Sequence, residues 1–112
     1  MKLSHEVYDQ FTVLKIHGDL TAEHVESVRK LTTERLGKSA RDFVLDVTET
    51  EFIDSKGLET LLWLQEECGQ HLGQVRLAGA TANVEKILQV TRLARRLDRH
   101  ESVDAAVKSL RL

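Results

Sequence analysis

The feature that most restricts what this chain can fold into is an apolar run ending on an acid, with a helix start a short polar stretch later. The run is Phe43-Val44-Leu45-Asp46-Val47, and the helix start is Asp54-Ser55. An apolar run with no polar alternation is how a buried strand reads. Thr48-Glu49-Thr50-Glu51 forms a polar, acidic connection, and Phe52-Ile53 returns the chain to apolar surroundings. Leu58, Leu61, Leu62 and Gln65 then fall at i, i+3, i+4 and i+7. Three of those four are apolar, so the spacing predicts a helix packed through Leu58, Leu61 and Leu62. Asp and Ser both cap helix N-termini well, which makes Asp54 and Ser55 competing cap candidates. A serine hydroxyl is thereby presented at a helix start with a carboxylate beside it, and function is expected there.

The flanking sequence continues the alternation. Val7 to Ile16 reads as a hairpin turning at Asp9-Gln10, and Gly18 ends its second strand. Thr21 is placed to cap a helix running to about Leu36, with Val25, Val28, Leu31 and Arg35 on one stripe and Gly37 as C-cap. The helix from Ser55 is expected to end near Gly69 or Gly73. Val75-Arg76-Leu77-Ala78 reads as a short strand, and Asn83 onward as a helix with Val84, Ile87 and Leu88 on one face. Leu97 to His100 is a candidate edge strand. Ser102 is a cap for a closing helix marked by Val103, Ala106, Val107 and Leu110. The order β-β-α-β-α-β-α-β-α predicts one α/β domain over residues 1–112. Its sheet is expected to be mixed and four- to five-stranded, with about four helices.

Composition removes several function classes. A formal net charge of −2 argues against general nucleic-acid or anionic-membrane binding, and 4% aromatic residues leave little for base stacking. No apolar run approaches the roughly 18 residues of a membrane span. Met1-Lys2-Leu3-Ser4-His5-Glu6 lacks the apolar core of a signal peptide. The single cysteine, Cys68, excludes an intramolecular disulfide and fits a reducing cytosol.

No catalytic constellation is complete. Asp46 and Asp54 have no histidine near them in sequence, and no glycine-rich phosphate loop is present. An acid cluster of the kind a phospho-accepting receiver needs is missing after Val13-Leu14-Lys15-Ile16-His17. His5, His17, His24, His71 and His100 show no metal-ligand spacing. No catalytic, metal or cofactor-binding residue is therefore expected. Cys68 reads as a small buried hydrophobe, and Trp63 as flanking the core or facing a contact surface. Arg92, Arg95, Arg96 and Arg99 form a basic cluster, by default a solvated helix face and otherwise a contact for an anion or acidic partner.

Asp46-Val47 followed by Phe52-Ile53-Asp54-Ser55-Lys56-Gly57-Leu58 resembles the signature of the STAS domain, the module of bacterial anti-sigma factor antagonists. Gly18-Asp19-Leu20 is similar to the family's corner before its first helix. Leu77-Ala78-Gly79 and Val84 through Leu97 match later segments in the same order. The resemblance implies a non-enzymatic, cytoplasmic protein that binds an anti-sigma factor that is also a serine kinase, and so regulates sigma-factor-dependent transcription. Ser55 is the implied phosphorylation site, with a phosphatase restoring the unmodified form. Asp19, Thr21, Asp54, Ser55, Lys56 and Gly57 are the implied partner-binding residues. No cofactor and no direct nucleic-acid contact is implied. Thr21 stands where many antagonists carry an aspartate, and Lys56 where Ser or Thr is common. The alternative within the same family is a non-phosphorylated subunit of a lipid-transport or sensory (stressosome-like) assembly.

Overall fold

In the computed structural model, which describes residues 2–110, the chain begins with a hairpin of β1 (Lys2–Val7) and β2 (Phe11–His17). The Tyr8 N–H donates to the Phe11 carbonyl at 2.9 Å to close the turn. β1 starts at Lys2 rather than near Val7, pairing antiparallel from Lys2↔His17 to Val7↔Thr12. It is an edge strand exposed along nearly its whole length, so no apolar face marks it in the sequence. β2, β3 (Asp42–Glu49), β4 (Val75–Ala78) and β5 (Arg99–His100) are mutually parallel. The five-stranded sheet has the order β1-β2-β3-β4-β5, the order of the chain itself.

Each parallel step is a crossover in the same direction along the sheet, and right-handed crossovers then place their helices on one face. Those helices are α1 (Val25–Gly37), α2 (Ser55–Gln70) and α3 (Ala82–Val90). Their buried residues share one core with Leu14 and Ile16 of β2, Phe43, Leu45 and Val47 of β3, and Val75 and Leu77 of β4. The alternate residues Val13, Val44 and Ala78 point to the other face, where Ala106 and Leu110 cover them. α4 (Val103–Ser109) supplies that cover and is capped as expected, the Ser102 hydroxyl accepting from the Ala105 N–H at 3.1 Å. The expected α/β domain with a mixed sheet and four helices is thus what forms.

Helix ends depart from expectation in instructive ways. A 3₁₀ turn, Ala22–His24, precedes α1, and Thr21 makes no side-chain cap. Its hydroxyl instead lies 3.2 Å from His24 Nδ1. The buried line of α1 is Val28, Thr32 and Leu36, while Val25 and Leu31 are only half-buried. Thr32 is tolerated there because its hydroxyl donates to the Val28 carbonyl at 2.8 Å. Gly37 is the last residue of α1, and the left-handed position that follows is filled by Ser39 (φ 72°). On α2 the buried line runs Leu58, Leu61, Leu64 and Cys68, leaving Leu62 half-buried. The helix packs one position round from the expected stripe. α3 is capped by Thr81, whose hydroxyl accepts from the Val84 N–H; Asn83 instead donates to the Glu51 carbonyl at 2.6 Å.

Candidate functional site

The serine loop is fastened to the entrance of α1 by backbone and side chain together. Leu20 and Ile53 form a parallel bridge; the Leu20 N–H donates to the Phe52 carbonyl and the Asp54 N–H to the Leu20 carbonyl. Asp19 accepts from the Phe52 N–H at 3.1 Å. Asp54, in extended conformation at the N-cap of α2, accepts from the Gly57 N–H at 2.8 Å through Oδ1. Its other oxygen accepts from the Ala22 N–H at 3.0 Å. One carboxylate thereby supplies the caps of two helix starts, including the one that Thr21 leaves uncapped. These bonds, Gly57 first and Ala22 next, hold the Asp54 carboxyl below its ordinary value of 3.8.

Gly57 makes the close approach possible. A Cβ there would stand 2.5 Å from the Leu20 carbonyl oxygen and 2.8 Å from Ile53 Cγ2. It is buried and shapes the site from beneath, whereas Ser55 and Lys56 are exposed. Lys56 Nζ lies 3.7 Å from Glu59 one turn along α2. The sequence left two cap candidates, and the structure assigns the cap to Asp54. Ser55 occupies the first helical position, and its hydroxyl has no hydrogen bond among the described residues. Asp19, Thr21, Asp54, Ser55, Lys56 and Gly57 are brought together by these bridges, although Asp19 and Thr21 are far from the rest in sequence.

The remaining candidates are dispersed. Asp46 accepts from the Thr48 N–H and hydroxyl on β3 and shares no partner with Asp54. Among the described residues, no three His, Cys, Asp or Glu side chains are grouped as a metal would need. Cys68 is buried, and burial pushes its thiol up to about 12. Trp63 is half-buried, with the Arg29 guanidinium 5.0 Å over its ring. The arginine cluster is split, because Arg99 is drawn into an ion pair with Glu85 at 2.6 Å. Sequence reading missed one polar array: Ser4 Oγ lies 2.9 Å from His17 Nε2, and His17 Nδ1 lies 3.2 Å from Glu49, which also pairs with Lys15 at 3.0 Å. It spans three strands, so only their register reveals it.

The fold and the serine site define a small α/β module with a mixed sheet that presents an exposed serine hydroxyl at a helix start. The chain belongs to the STAS domain family, whose model matches residues 2–106. A STAS-domain containing protein of Pseudomonas aeruginosa is 33% identical over 58 residues, 52% of this chain and 57% of that protein. The chain therefore aligns with little more than half of that relative's length. Among solved structures, a Thermotoga maritima protein assigned as an anti-sigma factor antagonist superposes with a TM-score of 0.89 at 21% identity, covering 98% of this chain and 95% of that one. The Bacillus cell fate determinant SpoIIAA in its phosphorylated form gives 0.75 at 18% identity, covering 98% of this chain and 100% of that one. A sulfate transporter family protein from Wolinella succinogenes gives 0.79 at 16% identity, with 89% and 84% covered. Likeness at these identities is likeness of fold. Among the described residues no helix is long and apolar enough to cross a membrane.

Proposed function

We propose that this protein is an anti-sigma factor antagonist acting in the cytoplasm, whose binding to an anti-sigma factor kinase is controlled by phosphorylation of Ser55. The observation that carries this reading is the division of labour at the start of α2: Asp54 caps the helix, and the Ser55 hydroxyl stands exposed without a structural task. The likeness to SpoIIAA, solved in a phosphorylated form, supports it. A phosphate adds about −1.5 to −2 charges. Asp54 already takes the Gly57 amide at the start of α2 and carries its own negative charge beside Ser55, so the new charge is left facing the partner. In this reading the unmodified form engages the kinase and frees a sigma factor, and a phosphatase resets the cycle. Asp19, Thr21 and Lys56 border the surface that the partner meets.

The test has two parts. Mass analysis of protein isolated from its native host should show one phosphate on the tryptic peptide Asp42–Lys56, which contains Ser55. Calorimetric titration against the kinase that co-purifies should show Ser55→Ala binding like the unmodified protein and Ser55→Asp at least about tenfold weaker, a difference of 1.4 kcal/mol. Equal affinities with an unmodified peptide would instead favour the second reading, a non-phosphorylated subunit of a transport or sensory assembly. The likeness to the sulfate transporter family protein is what supports that alternative.

A further inference from the structure

The serine lies beyond the C-terminal ends of the parallel strands. At the opposite end of the sheet, the β1–β2 turn and the last turn of α1 enclose a cleft of about 820 Å³. Its lining divides by chemistry. Val7, Tyr8 and Phe11 give an apolar side, with the Tyr8 and Phe11 rings stacked at 4.7 Å between centroids. Arg35 and Lys38 give a cationic side, and Asp9 is the one acid that lines it. Neither Arg35 nor Lys38 has an ion pair among the described residues. Arg35 is half-buried, and its Nε is sealed from solvent with no acceptor. A buried N–H without a partner calls for an explanation, and Arg35 lines the cleft with a guanidinium, whose planar donors suit a carboxylate. Tyr8 contributes its ring, since its hydroxyl already lies 3.4 Å from Glu6.

We propose that this cleft is a binding site for a small aromatic carboxylate, its acid group on Arg35 with Lys38 beside it and its ring against Tyr8 and Phe11. The two walls require both halves of that ligand. A bare anion finds no use for the aromatic pair, and a neutral arene leaves Arg35 unpaired. The site is independent of the Ser55 reading, because it is built from the β1–β2 turn and α1 and shares no residue with the serine loop.

The experiment is an amide and arginine Nε–H nuclear magnetic resonance titration of the full chain with benzoate, and in parallel with acetate. Benzoate should shift the Tyr8, Lys38, Ser39 and Ala40 amides and the Arg35 Nε–H, and bind at least about tenfold more tightly than acetate. Arg35→Gln should weaken benzoate by a similar factor while the α2 and α3 amides keep their positions. Should Arg35→Gln unfold the protein, Lys38→Ala serves in its place, with a smaller loss expected. Equal responses to benzoate and acetate, or benzoate shifts centred on the Arg92–Arg96 loop, would overturn the proposal.

Discussion

At the scale of single residues, Asp54 and Gly57 set the geometry of the serine site. Hydrogen bonds from Gly57 and Ala22 favour the charged carboxylate, so the folded pKa of Asp54 lies below its ordinary 3.8. A lowered acid contributes stability that is complete above its unfolded pKa and is lost as pH falls through the folded one. Asp54→Asn keeps an acceptor but not the charge. The melting temperature of the wild type should therefore exceed that of Asp54→Asn at neutral pH, and the gap should close as the solution is made acidic below the ordinary value. A gap that stays constant with pH would mean that the carboxylate charge does not matter. Gly57→Ala should be worse than its single methyl group implies, because the clash is with the Leu20 carbonyl, which cannot rotate away. Overpacking of this kind costs about 1–3 kcal/mol, readable from urea unfolding, and a loss near zero would mean that the Leu20 corner yields freely.

At the scale of elements, α2 packs through Leu64 where its sequence stripe pointed to Leu62. Leu64 is fully buried, so Leu64→Ala should cost about 2–5 kcal/mol, and Leu62→Ala clearly less. Reversal of that order would place the other face of α2 against the sheet. What the sequence revealed follows a physical division. β3, α2 and α4 were legible because their cues are local: an apolar run, a helical stripe, a Ser102 cap. The extent of β1 was not, since a strand such as Lys2-Leu3-Ser4-His5-Glu6-Val7 is held by a neighbour's hydrogen bonds and hides little apolar surface, so the sequence showed the hairpin only from Val7. Thr21 has the right chemistry for a cap but is supplanted by Asp54, which is 32 residues from the amide of Ala22 that it accepts from. The candidate serine was legible as a residue; its freedom from capping was not, because two adjacent cap formers look equivalent until the backbone chooses between them.

At the scale of the whole molecule, Cys68 reports on integrity. It lies in the main core, and burial first, then the nearby charges of Asp42 and Glu67, raises its thiol to about 12. The thiolate is the reactive species, so the native protein should resist iodoacetamide at neutral pH and become labelled only as urea unfolds it. Rapid labelling without denaturant would show that α2 opens locally from the sheet. The agreement between sheet order and chain order has a further consequence, for the time at which each part can settle during synthesis. Every strand after the first finds its sheet neighbour already made, so the growing chain never has to hold a place open for a strand still to come. The face carrying Val13, Val44 and Ala78 is the exception, for its cover arrives only with α4. Until then a nascent chain carries a finished serine site on a sheet with one bare side, and that side is where a chaperone would find its hold.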